Sequence, residues 1–128
     1  MALFRCGSGS GIHKTELWTN PAPTSNFSAQ TITGVDVSDY DAVEVEYKAS
    51  TTSSEIGIDL YYIDELEKTF GATPKPRYTL AARDVSSFLA RTISVASDNV
   101  VFGPGEVGAT DSGHDNYVIP LKIYGVKF

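Results

Sequence analysis

From Val43 to Ser50 the chain reads Val-Glu-Val-Glu-Tyr-Lys-Ala-Ser, alternating side chains on a period of two without a break. An extended backbone turns successive side chains to opposite faces. The stretch therefore reads as a strand with Val43, Val45, Tyr47 and Ala49 in a core and Glu44, Glu46, Lys48 and Ser50 in water. A strand wet on one face belongs to an antiparallel sheet rather than to a parallel one covered on both sides. The reversal before it is also legible, because Asp39 and Asp41 in Ser38 to Asp41 can bond their own backbone and favour a tight turn.

The same rhythm recurs along the chain. Glu16 to Thr19 reads as a short first strand, stopped by Asn20-Pro21-Ala22-Pro23, where two prolines forbid helix and ladder alike. Phe27 to Thr33 is a second strand closed by Gly34. Ile56 to Ile63 alternates again, with Ile56, Ile58, Leu60 and Tyr62 on one face and Asp59 and Tyr61 on the more polar one. It pairs with 43–50 as a hairpin across a loop of four to five residues. The one helical signal is Asp64 to Phe70, with a capping aspartate, Glu67 three residues on, and Leu66 and Phe70 sharing a face. Arg77 to Ala82, Phe88 to Ala96 and Val100 to Phe102 read as further strands. Gly103 to Asn116, rich in glycine and aspartate, reads as a surface loop. The last segment, Tyr117 to Phe128, is apolar on both faces, which places it centrally in the sandwich or under another subunit, with Pro120 at an edge or bulge.

About eight short strands, turn-rich loops and at most one short helix predict an all-β fold, an antiparallel β-sandwich of jelly-roll-like form. With 128 residues the chain is most simply one domain. Residues 1–15, dominated by Gly7-Ser8-Gly9-Ser10-Gly11, are expected to be a flexible N-terminal arm that orders against a partner, and residues 16–128 the sandwich.

Composition narrows the function classes. Ten basic residues face sixteen acidic ones, for a net charge of -6, and the basic residues are scattered. A nucleic-acid partner calls for clustered positive charge, so none is expected. Apolar runs are too short for a membrane span, and the opening Met-Ala-Leu-Phe-Arg-Cys lacks the apolar core of a signal peptide, so a soluble chain with no membrane insertion is expected. The single cysteine, Cys6, leaves no intrachain disulfide to form.

Constellations that carry chemistry are sparse. Lys14 and Thr15 follow Gly11, but Ile12 and His13 intervene where a phosphate-binding loop needs the glycine beside the lysine. Glu44 and Glu46 stand about 7 Å apart on one strand face, within the separation glycosidases use, yet in similar outward surroundings. Asp36, Asp39 and Asp41 cluster before the organising strand, and Asp111, His114 and Asp115 in the late loop. Both groups lack the spacing of a calcium motif, which leaves the first three only as weak metal candidates. Neither His13 nor His114 lies in a nucleophile motif, so no catalytic residue and no cofactor is expected. Among the aromatics, Tyr61 and Trp18 are the candidates for stacking on a sugar ring, Tyr61 being the most plausible exposed one.

Leu17-Trp18-Thr19-Asn20-Pro21, Phe27-Ser28-Ala29-Gln30-Thr31-Ile32, Ser38-Asp39-Tyr40-Asp41-Ala42-Val43 and the ending Pro120-Leu121-Lys122-Ile123-Tyr124-Gly125-Val126-Lys127 resemble a group of small tailed-phage and prophage structural proteins, described as tail, fibre, receptor-binding or decoration components. The resemblance spans Leu17 to Lys127, and its motifs are structural rather than catalytic. It implies a non-enzymatic domain of the virion, assembled in the host cytoplasm as a homo-oligomer, with a trimer favoured. The arm would dock to other virion proteins or to a neighbouring subunit, and the domain would either attach to a host glycan or decorate the particle. Two other readings compete: a free carbohydrate-binding jelly-roll module, and a glycoside hydrolase using Glu44 and Glu46.

Overall fold

The computed structural model describes residues 12–64, 78–83, 88–108 and 111–128. The expected helix lies outside them beyond Asp64, as does most of the arm. The described chain forms nine strands: β1 (His13–Thr19), β2 (Gln30–Thr33), β3 (Ala42–Ser50), β4 (Ile56–Tyr62), β5 (Tyr78–Arg83), β6 (Phe88–Val95), β7 (Asn99–Val107), β8 (Asp111–Ser112) and β9 (Tyr117–Lys127). They build two antiparallel sheets, β1-β9-β3-β4 and β2-β7-β6-β5, with β8 paired to β7. The fold is an all-β sandwich. First strand lies against last, and second against seventh, so the chain winds between the sheets before the β3–β4 and β5–β6 hairpins close each sheet.

The organising strand behaves as its pattern demands. Val43 and Val45 are wholly buried and Tyr47 nearly so, while Glu44, Glu46 and Lys48 line the outer face. Opposite them, Leu80, Leu89, Ile93, Val100 and Phe102 fill the core from the second sheet. The rings of Trp18, Phe27 and Phe102 meet edge-on or tilted at 5.4 to 6.1 Å and cover one end of that core. Such geometry contributes attraction beyond the area it buries.

Two strands run well past their expected bounds, while β2 begins only at Gln30 rather than Phe27. β1 begins at His13, inside the stretch read as arm, because His13 to Glu16 pair with Lys127 to Tyr124. β7 runs on to Val107 through residues read as loop. Arg91 pairs with Gly105 and Ile93 with Phe102, so Gly103 and Pro104 together oppose Thr92. That is a bulge, one of the few places a sheet tolerates proline. Gly103 fits there because a Cβ would strike the Thr92 hydroxyl.

β9 is central, between β1 and β3. Its register against β3 shifts where Lys122 opposes Glu46 and Pro120 opposes Tyr47, so Pro120 does sit at a bulge. Just before it, Val118 takes φ 47°, a conformation that β-branched residues avoid. Wholly buried Arg91 holds that bend, its Nε donating to the Val118 carbonyl at 2.7 Å and its Nη2 to the Tyr117 carbonyl at 2.9 Å.

Candidate functional site

The hairpin partner of the organising strand turns its apolar side outward. In the β3–β4 register, Glu44 opposes Leu60, Glu46 opposes Ile58 and Lys48 opposes Ile56. Directly opposed residues share a face. Because Val43, Val45 and Tyr47 point inward, their opposites Tyr61, Asp59 and Gly57 must point inward too. Ile56, Ile58, Leu60 and Tyr62 are left in water, with Ile58 56% and Leu60 43% exposed.

This corrects the expectation for Tyr61. It packs against the core with its ring 5.0 Å from that of Tyr78, and its hydroxyl donates to Asp59 at 3.2 Å. The Tyr47 hydroxyl donates to the other Asp59 oxygen at 3.1 Å and approaches the Ala81 carbonyl. Burial, and then the neighbouring Asp59 charge, push both phenols above the usual tyrosine range. Gly57 is required beneath this group, since a Cβ would meet the Tyr47 ring at 2.8 Å. Trp18, the other candidate for stacking, is taken up by Phe27 and Phe102. The exposed aromatic on this strand is Tyr62, whose ring lies 6.0 Å from that of Phe128.

The aspartates before β3 serve turns and strand ends. Asp36 Oδ1 accepts from the Ser38 amide and hydroxyl, which lowers its pKa. Asp41 Oδ2 accepts from the Phe128 amide at 2.7 Å, and Asp39 is exposed between them. In the late loop, Asp111 meets His114 at 3.0 Å while Asp115 accepts from the Gly105 amide. No group of three or more His, Cys, Asp or Glu side chains suited to a metal occurs among the described residues. Among them, too, no helix is long and apolar enough to cross a membrane.

Glu44 and Glu46 lie on the outer face, and Glu44 is tied to Lys14 at 2.6 Å. That bond and the nearby carboxylates raise the Lys14 pKa. Lys14 also stands over the Tyr124 ring at 4.4 Å, and Lys122 reaches Glu16 at 3.2 Å. The outer face of the first sheet thus combines a ladder of paired charges on β1, β9 and β3 with an apolar stripe on β4. An open cleft of about 440 Å³ lies at the end of the stripe, lined by Tyr40, Asp41, Tyr62, Ile63, Asp64 and Phe128.

Sequence reasoning grouped Ile56, Ile58, Leu60 and Tyr62 on one face but took the opposite one, with Tyr61, to be the exposed face. The signal lay in the loop, whose length sets the register and with it the face. Comparison with protein-family models, with curated proteins and with solved structures finds no match.

Proposed function

We propose that the chain is a non-enzymatic structural component of a tailed-phage particle, part of a tail, fibre or head appendage, and that it acts as a homo-oligomer, three copies being favoured. The segments that resemble such proteins supply the setting. The observation that carries the assembly reading is the outward stripe of Ile56, Ile58, Leu60 and Tyr62 on an edge strand. Exposed contiguous apolar patches of this kind mark interaction surfaces. Mass measured in solution at micromolar concentration tests it: an oligomer is expected, and a monomer would refute assembly through the chain's own surface. A gene neighbourhood without tail or capsid genes would remove the particle setting.

A second reading, attachment to a glycan, is favoured by the cleft where Tyr62, Tyr40 and Phe128 stand beside Asp41 and Asp64. Rings for stacking beside carboxylates for hydroxyl groups suit a sugar. A glycan array whose hits vanish on Tyr62→Ala would support this role, and an array without hits would remove it.

A further inference from the structure

Of the two edges of the first sheet, β1 is guarded and β4 is not. β1 carries a register shift between Glu16 and Trp18, a device that discourages a further strand. β4 pairs with β3 through seven consecutive residues without a shift and has neither proline nor lysine. Among the described residues, the same strand therefore combines an unpaired edge with an outward apolar stripe. Extending the sheet at that edge would satisfy the backbone but leave the four outward side chains as wet as before. Only another surface laid over the face withdraws them from water.

The composition of that face says what the surface is. Beside the stripe stand Glu16, Glu44 and Glu46 with Lys14, Lys48 and Lys122, a balanced set in a chain of net charge -6. A copy of the same chain meets no like-charged field here, and a strongly basic or acidic partner finds nothing to select it. The area also suffices. With Phe128, the outward side chains leave on the order of 500 Å² in water, so two copies would bury about 1,000 Å², the lower bound for a specific interface.

We propose that the β4 stripe of one copy seats against the β4 stripe of the next, with the ladder of paired charges as its polar rim. This rests on the assembly reading and names one contact within it: a patch that meets its own copy closes on a two-fold axis, so it joins copies in pairs. The test is the full-length chain carrying Ile58→Lys and Leu60→Lys, measured by analytical ultracentrifugation and thermal unfolding. Both side chains are already exposed in the single chain, so the variant should stay cooperatively folded and lose only the concentration-dependent part of the wild-type melting temperature. Self-association should weaken about a hundredfold or more, because unpaired ammonium groups would be taken out of water. Ile58→Cys in a Cys6→Ser background should oxidise to a covalent dimer. Raised sulfate should hold the wild-type assembly together, as expected of an apolar contact. If wild type and lysine variant form the same oligomer, the stripe contact is overturned while assembly stands. A Leu3→Ser, Phe4→Ser variant that dissociates when the lysine variant does not would place the contact in the arm and overturn the proposal equally. A monomeric wild type would remove the assembly reading itself.

Discussion

Replacing Arg91 separates two reasons for placing a guanidinium inside a sandwich: its forked donors or its charge. The side chain is fully enclosed, and its ring of acceptors is made of backbone carbonyls: Val118 and Gly103 at 2.7 Å, Tyr117 at 2.9 Å and, more distantly, Asp115 at 3.4 Å. Each good hydrogen bond from a charged donor is worth roughly 1.5–3 kcal/mol, but enclosing the charge costs several kcal/mol in return. Burial is the main reason its pKa falls to about 10, with the Asp115 charge opposing the fall. Arg91→Met removes both terms and leaves carbonyls at the Val118 bend without donors. The net loss should be about 2–4 kcal/mol. Arg91→Lys keeps the charge but one ammonium cannot span three carbonyls, so it should be no better than methionine and about 1 kcal/mol worse.

Urea unfolding followed by tryptophan fluorescence measures both. Trp18 is the only tryptophan, and it packs on Phe27, over whose ring the guanidinium lies at 5.2 Å. If lysine came within about 1 kcal/mol of wild type while methionine lost more than about 4, the charge and not the fork would be what this position supplies. That outcome would refute the forked hydrogen bonding as the hold on the β9 bend.

Alkaline pH should expose the phenols under β4. Tyr47 and Tyr61 have folded pKa values above their unfolded value near 10, so their contribution is complete below about pH 10 and is lost as pH rises through the raised values. Arg91 acts oppositely, regaining stability above about pH 10, so the decisive comparison is Tyr61→Phe, which should flatten the alkaline fall at a neutral-pH cost of about 1 kcal/mol. Gly105→Ala should cost about 2–4 kcal/mol in the same urea assay, since a Cβ there would run into the His114 carbonyl, which is backbone and cannot swing aside. Asp36→Ala, which removes only exposed turn bonds to Ser38, should leave the urea midpoint close to that of the wild type, and a clear fall would mean the turn before β3 matters more than its exposure suggests.

Much of the fold was legible because period two is a strong signal wherever it is clean. Val43 to Ser50 gave its strand, its buried face and its antiparallel setting, and the doubly apolar Tyr117 to Phe128 narrowed the last strand to a central or a covered place, with Pro120 at an edge or bulge. What stayed hidden depended on distant partners. Nothing near Gly103 and Pro104 announces a strand, because the bulge that admits them is defined against Thr92. Nothing in the strand's pattern singles out Arg91, because its acceptors lie 12 to 27 positions away. The turn before β3 was expected to be held by Asp39 and Asp41, but the local backbone bond is made by Asp36 at Ser38, and Asp41 reaches 87 residues to the Phe128 amide.

The β4 inversion is a different kind of failure. Alternation sorts residues into two sets and leaves open which set goes inside. For β3 the choice is forced, since one set is Val, Val and Tyr and the other Glu, Glu and Lys. For β4 hydrophobicity would choose Ile56, Ile58 and Leu60, and a register slipped by one residue would put them in the core. The chain instead places Gly57, Asp59 and Tyr61 there, where the glycine clears the Tyr47 ring and the aspartate receives two phenols. That satisfied cluster fixes a register which hydrophobicity taken alone opposes. Polar fit on this edge strand leaves the apolar set exposed, and the proposed contact would use it. Moving the slip into the sequence tests the point: deleting one residue from the loop at Thr51 to Ser54 should turn the isoleucines inward and lower self-association, and an unchanged oligomer would show that the stripe is not the contact.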